Sequence, residues 1–252
     1  MTYLSVNINK IAWLRNARDG NIPDIKELTQ IIINSGAHGI TVHPRPDLRH
    51  ITPNDVKYIK KITKENQVEF NIEGNPYTHS FPNYPGFLSL VNSNIPDQCT
   101  LVPDSVNQIT SDHGWKLTNK NKDLKEVINN LQDKNIRVSM FVDPVQEDIE
   151  KIANLGADRI ELYTGPYAYS YKNKIDLNKV LDKYIKAAEF ARELDLKINA
   201  GHDLNLDNLG KFLDSIQIDE VSIGHALISD SLKKGLNKTI KEYLDICSSC
   251  KI

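Results

Sequence analysis

The stretch GITVHPRPDLRHIT, residues 39–52, begins as an apolar run and then breaks into His43, Arg45, Asp47, Arg49 and His50, stiffened by Pro44 and Pro46. A buried strand has no use for that chemistry at its end. Imidazoles titrate near neutrality and move protons, and cationic side chains beside them can hold an anion. Other apolar runs close in the same way: Asn7, Asn9 and Lys10 follow the first, Glu73 ends EFNIE, Glu161 and Thr164 lie in RIELYTG, His202 ends KINAGH, and Gly224 and His225 end EVSIGH. Taken singly, a histidine at a strand end is more often structural, Glu73 would cap a loop, and Arg45 and Arg49 with Asp47 would form a solvated turn of little energetic weight. Taken together, three of the seven histidines and two glutamates stand at equivalent places in successive runs, which surface polarity does not explain.

Two kinds of chemistry suit this set. A metal site is the poorer fit, because there is no HExxH or His-x-Asp pair and the candidates come from separate strands in no metal-diagnostic order. Acid-base work is the better one, since a buried glutamate can be raised to meet histidine near neutrality. Phosphate recognition is the second, because NAGHD (199–203) and SIGHALI (222–228) carry a glycine near each turn. There the backbone can approach an anion and a helix N-terminus can face it. The Arg45/His50 group provides for a second anion across the mouth, so the site reads as one for two phosphorylated ligands.

Something must bring these ends together. Eight β-rich runs recur, at 4–8, 39–43, 69–73, 99–103, 137–143, 159–165, 197–202 and 220–225, and most read as continuous apolar stretches, the pattern of strands covered on both faces. Helical patterns separate them, at 25–36, 53–66, 124–135, 147–156, 177–195 and 204–216. Thr52-Pro53-Asn54-Asp55 offers an N-cap, a proline at the first helical position and an acid near the third. The segment after strand three carries two prolines and predicts only a shortened helix around 87–91, while 75–95 reads as either that or a lid. Strict strand-helix alternation over this length predicts a (β/α)8 TIM barrel, an α/β fold, as a single domain over 1–252. In that fold the active site lies at the C-terminal ends of the strands, where the polar residues collect.

Composition narrows the partners. With 252 residues, 40% hydrophobic and 25% charged, and a net charge of -2, the chain lacks the basic footprint of a nucleic-acid binder. No stretch reaches the roughly 18 apolar residues of a membrane span, and the first residues lack a signal-peptide pattern, so a cytoplasmic location is expected. Cys99, Cys247 and Cys250 are too few for a disulfide framework. CSSC at 247–250 has redox spacing without the strand-helix context, and is expected to be a frayed tail with two thiols.

The motifs VNINKIAWLRNAR, GITVHPRPDLRHIT, NIEG, LVP followed by QITSDHG, IELYTGPYA, INAGHDLN and SIGHALI, in this order, resemble the pyridoxine 5'-phosphate synthase family from about Leu4 to Leu244. The resemblance implies ring closure between 1-deoxy-D-xylulose 5-phosphate and 3-amino-2-oxopropyl phosphate, in vitamin B6 biosynthesis. It also implies no metal and no organic cofactor, and a homo-oligomer, commonly an octamer. His43 and Glu73 match the family's proton acceptors and His202 its donor, with Glu161 as a possible supporting group. Asn7, Arg18, Asp203, Gly224 and His225 match the positions that hold the aminoketone phosphate. Arg45, His50 and Thr110 match those that hold the pentulose phosphate.

There are two departures. Asn9-Lys10 stands where many members have Asp-His, replacing a carboxylate and an imidazole, and Asp203 stands where a glycine often follows the donor histidine. Two other readings compete: an isomerase or epimerase barrel acting on one sugar phosphate, and a non-catalytic barrel binding a phosphorylated metabolite.

Overall fold

The computed structural model describes residues 1–118, 121 and 123–249. Eight parallel strands close into a barrel in sequence order: β1 (Tyr3–Asn7), β2 (Gly39–Val42), β3 (Glu69–Gly74), β4 (Gln98–Leu101), β5 (Arg137–Val142), β6 (Arg159–Tyr163), β7 (Lys197–Gly201) and β8 (Glu220–Ile223), with β8 pairing back onto β1. All eight lie within about two residues of the runs read from sequence. Their interior is not the apolar layer expected. Each strand alternates, and the residues in register around the barrel, among them Ser5, Thr41, Asn71, Thr100, Ser139, Glu161, Asn199 and Ser222, are polar and buried. Gln98 on β4 reaches Glu220 on β8 at 3.4 Å and Asn199 on β7 at 3.4 Å, contacts that can only pass through the barrel.

The apolar partners in that alternation, such as Leu4, Ile40, Phe70, Val138, Ile160, Ile198 and Val221, face outward into the core between sheet and helices. Most (β/α)8 interiors are filled by branched apolar side chains. This one is tolerable because many of its polar atoms pair with one another: Ser5 Oγ lies 2.8 Å from Thr41 Oγ1, and Asn71 Nδ2 donates to Thr41 and Thr100. The continuous-apolar reading is therefore corrected to alternation, with the hydrophobic layer on the outside and Phe141 on β5 as an apolar exception facing inward.

Eleven helices are present among the described residues: α1 (Asn9–Asn16), α2 (Ile25–Asn34), α3 (Pro53–Asn66), α4 (Phe87–Asn94), α5 (Leu124–Gln132), α6 (Gln146–Leu155), α7 (Gly165–Asn173), α8 (Leu177–Glu193), α9 (Leu209–Leu213), α10 (His225–Lys234) and α11 (Leu236–Ser249). The capping box before α3 forms as its sequence implies, with Asp55 N donating to Thr52 Oγ1 at 3.2 Å and Thr52 N to Asp55 Oδ2 at 2.8 Å. Arg15 on α1 locks the same carboxylate through two hydrogen bonds of 2.6 and 2.8 Å, tying α1 to the chain that follows β2.

Three expectations change. The segment after β3 makes a full two-turn helix, α4, because Phe87, Leu90 and Val91 bury a face that its prolines precede and do not interrupt. The helix expected at 204–216 shrinks to α9, since Asn205 and Asn208 hold the preceding residues in a turn through Asn205 N to Asn208 Oδ1 and Asn208 N to Asn205 Oδ1. The tail is not frayed through its first cysteine: α11 buries Thr239, Ile240, Tyr243 and Cys247, and Thr2 N donates to the Cys247 carbonyl at 3.2 Å. Cys250 lies outside the described residues. No described helix is long and apolar enough to cross a membrane.

Candidate functional site

At the C-terminal ends of the strands a cavity of about 440 Å³ opens, and thirteen of the fourteen residues singled out from sequence line it: Asn7, Asn9, Lys10, His43, Arg45, His50, Glu73, Thr110, Glu161, His202, Asp203, Gly224 and His225. Arg18 does not. It is exposed in the loop after α1, two residues beyond that helix's end at Asn16.

The floor is built by β1, β2 and β3. Asn7 at the end of β1 uses both ends of its amide: Oδ1 accepts from Asn9 N at 3.0 Å and Nδ2 donates to Glu73 Oε2 at 3.4 Å. Asn9 Oδ1 in turn accepts the backbone N–H of His43 at 2.9 Å, which fixes where β2 delivers its imidazole. His43 Nδ1 then lies 3.8 Å from Glu73 Oε2, both side chains almost fully buried. Burial, and then Arg45, His50 and Arg49, hold the His43 pKa well below the usual imidazole range. Burial and the neighbouring Glu161 push Glu73 well above the carboxylate range. Both shifts favour the uncharged forms, and burial is the largest cause of each.

Glu161, on β6, is the second buried acid. Burial raises it to about 7 against the opposing influence of His202, and its Oε2 has no hydrogen-bond partner among the described residues. Its other oxygen explains Gly201, because a Cβ there would stand 2.3 Å from Glu161 Oε1.

One wall is cationic. Arg45 donates to Asp104 Oδ2 at 2.5 Å and to the Gln108 carbonyl at 3.1 Å, so its guanidinium is fixed by the loop after β4. Ser111 donates to the same Asp104 oxygen at 2.7 Å. His50 accepts the Ile51 N–H on Nδ1 at 2.9 Å, which assigns its proton to Nε2 in the neutral ring. Burial, followed by Arg45, Lys10 and Arg49, lowers its pKa to about 3. Lys10, half-buried with its ammonium 4.3 Å over the Trp13 ring, is lowered by burial and then by Arg45 and Arg49.

The opposite wall is formed by the turns after β7 and β8. His202 and Asp203 both adopt positive φ, +82° and +61°, territory where glycine is usual, and this accounts for the glycine common at the second position. Asp203 Oδ2 lies 2.9 Å from His202 Nδ1, and His202 Nε2 lies 2.8 Å from Thr110 Oγ1 across the mouth. That hydrogen bond to His202, together with the charges of His202 and His225, keeps Asp203 below the usual carboxylate pKa despite its partial burial. Thr164 stays outside the cavity and donates to the Gly201 and His202 carbonyls at 2.7 and 2.5 Å, anchoring the backbone of that turn. Gly224 precedes α10, and a Cβ there would come 3.0 Å from Asn7 Cβ. His225 and Ala226 open α10 on the cavity, an N-terminus able to face an anion.

Sequence reasoning missed Asp104, Ser111, Phe141, Leu204 and Ser222. Asp104 could have been found by the rule that selected Glu73, since it follows the apolar run CTLVP directly. Nothing local marks the other four, which reach the cavity through the fold.

Comparison with known proteins places this geometry. The family profile described as "Pyridoxal phosphate biosynthesis protein PdxJ" matches residues 4–249. A protein named pyridoxine 5'-phosphate synthase from Xanthomonas axonopodis pv. citri (strain 306) is 49% identical over 249 residues, covering 98% of this chain and 97% of its own. One of the same name from Xylella fastidiosa (strain M23) is 47% identical over 249 residues, with coverages of 98% and 95%. Among solved structures, a thiamine phosphate pyrophosphorylase from Pyrococcus furiosus aligns with a TM-score of 0.62 at 12% identity, covering 98% of this chain and 95% of its own, a likeness of fold alone.

Proposed function

We propose a reaction and a division of labour from one premise: the chain belongs to the PdxJ family of pyridoxal phosphate biosynthesis proteins. The activity is pyridoxine 5'-phosphate synthesis, the condensation of 1-deoxy-D-xylulose 5-phosphate with 3-amino-2-oxopropyl phosphate that closes the pyridine ring and releases phosphate and two molecules of water. The observation that carries the mechanism is the pairing of His43 and Glu73, 3.8 Å apart and shifted toward their neutral forms, between a cationic wall and the N-terminus of α10.

The pentulose phosphate sits on the cationic wall. Arg45 arrives pre-oriented by Asp104, His50 offers Nε2–H, and Lys10 supplies an ammonium where an imidazole is common. Asn9 keeps the scaffold role of its position toward His43 and leaves its Nδ2 as a donor in place of a carboxylate. The aminoketone phosphate takes the other side, against Gly224, His225 and the first N–H groups of α10.

Proton transfer follows from the two shifts. His43, neutral at working pH, is a base ready to act. Glu73, its pKa raised by burial, is a stronger base in its ionised form than an exposed carboxylate, and as the carboxylate it accepts a proton from the substrate to become the neutral acid that its buried site favours. The unpartnered Glu161 Oε2 is open to a substrate hydroxyl or ammonium. His202 is the donor: the Asp203 carboxylate on Nδ1 orients the ring so that Nε2 faces the cavity, where Thr110 holds it until substrate replaces that contact. Asp203 thereby spends its charge on His202 and not against a phosphate.

From the family we further assign a cytoplasmic homo-oligomer, of octameric type. The test of the reaction is incubation of the purified protein with both substrates and no added metal, with mass spectrometry for pyridoxine 5'-phosphate and a phosphate assay. Both products are expected. Folded protein that binds one phosphorylated substrate tightly and yields neither product would instead support the single-substrate or binding-barrel reading.

A further inference from the structure

A second cavity, of about 230 Å³, lies at the other end of the barrel, where the strands begin. Arg159 and Lys197, the first residues of β6 and β7, line it together with Tyr3 of β1 and Asp219, which precedes β8. The Arg159 side chain is only 15% exposed, yet its one hydrogen bond among the described residues is to a neutral group, from Nη1 to Asn199 Oδ1 at 2.9 Å. Its Nε is buried without a partner. The nearest carboxylate that it meets, on Glu220, stands 4.0 Å away, beyond hydrogen-bond reach, and burial and the charge of Glu69 raise that group to about 8.

The carboxylate that lines the cavity is already engaged. Asp219 Oδ2 accepts from Ile198 N at 2.8 Å and pairs with Arg192 at 3.4 Å. Among the described residues, Lys197 makes no ion pair within 4 Å. The cavity is thus lined by two cations and one carboxylate that other groups neutralise. A guanidinium withdrawn from water without a hydrogen-bonded charge partner is costly, and an anion relieves that cost.

We propose that this cavity is a binding site for a tetrahedral oxyanion, inorganic phosphate or the phosphate end of a small phosphomonoester, held by the Arg159 guanidinium and the Lys197 ammonium. The site is separated from the reaction cavity by the length of the barrel and shares no residue with it. Inorganic phosphate is a product of the reaction assigned above, but the proposal stands on Arg159 and Lys197 and does not depend on that assignment.

Tungstate, a phosphate mimic with a strong anomalous signal, locates the site directly. Crystals of the full chain soaked in tungstate should show a peak against Arg159 and Lys197, abolished in Arg159→Gln and weakened in Lys197→Gln. Displacement by inorganic phosphate at a lower concentration than by glycerol 3-phosphate would name the free ion as ligand; the reverse order would name the phosphomonoester. Peaks only at the C-terminal ends of the strands, or a peak here that both variants leave undiminished, would overturn the proposal. Should Arg159→Gln fail to fold, reductive methylation of the wild-type protein reads the same contact. Phosphate should slow modification of the exposed Lys197 severalfold and leave that of Lys61, remote on α3, unchanged, and equal rates at Lys197 with and without phosphate would refute the site.

Discussion

Replacing Glu220 by glutamine should remove a large part of the protein's loss of stability at alkaline pH. Glu220 is buried inside the barrel, accepts from Gln98 Nε2 at 3.4 Å, and is raised from 4.5 to about 8 by burial and Glu69, against the pull of Arg159 and Arg137. A carboxyl group raised on folding keeps its proton in the native state where the unfolded chain has lost it. Stability therefore falls as pH rises from about 4.5 to about 8, and the penalty is complete above that. Each pH unit in that window is worth about 1.4 kcal/mol, and some two units lie between pH 6 and the native titration, which gives about 2 to 3 kcal/mol between pH 6 and pH 9.

Glutamine preserves shape and can still pair with Gln98 but cannot ionise. Urea unfolding of both proteins at about pH 6 and about pH 9, at one protein concentration, yields a double difference in which Glu73 and Glu161 largely cancel, because they titrate in both. The variant should lose about 2 kcal/mol less than the wild type across this range. A double difference near zero, or of opposite sign, would mean that Glu220 is ionised at neutral pH and that Arg159 has a charge partner after all.

Five further substitutions probe the reaction cavity. Glu73→Gln and His202→Asn should each lower turnover about a hundredfold or more with the thermal melt unchanged, and near-normal turnover would remove the role given to that residue. Arg45→Ala deletes a charge-assisted contact, and should raise the KM for the pentulose phosphate about tenfold with little change for the aminoketone; equal effects would refute the subsite assignment. Lys10, lowered by burial and by Arg45 and Arg49, should deprotonate earlier than an ordinary lysine, so the KM for the pentulose phosphate should climb on the alkaline side, and Lys10→Met should flatten that climb in steady-state profiles. Gly114→Ala puts a Cβ 2.3 Å from Val142 Cα and Asp143 N, a backbone clash that costs about 1 to 3 kcal/mol by denaturation and should displace the loop carrying Thr110 and Ser111, seen as a lower kcat/KM.

The alternation of strands and helices was legible because each element carries its own signal: β-rich runs, caps such as Thr52 and Asp55, and terminal glycines all act over a few residues. The strand-end residues of the cavity, such as Asn7, Glu73 and His202, were legible for the same reason, since a polar residue closing a strand is a local feature and the fold class dictates that such ends converge; Thr110 and Arg18 close no strand and entered only through the family resemblance. The polar interior was also written in the strands. In RIELY and KINAG every second residue is polar, but read as single runs they passed for continuous apolar stretches.

What the sequence alone determined is the order of elements and the identity of the groups delivered to one rim, because both depend on short-range pattern. Only the tertiary structure decided how those groups behave. The 2.8 Å contact of His202 with Thr110 joins residues 92 positions apart, Arg45 meets Asp104 across 59, and Arg18 falls outside the cavity despite its place in a matching motif. The depressed His43, the raised Glu73 and Glu220, and the unpartnered Glu161 Oε2 and Arg159 Nε follow from desolvation and from charges brought close by barrel closure. Those energies depend on distance through space and on the exclusion of water, and neither exists until the chain has folded.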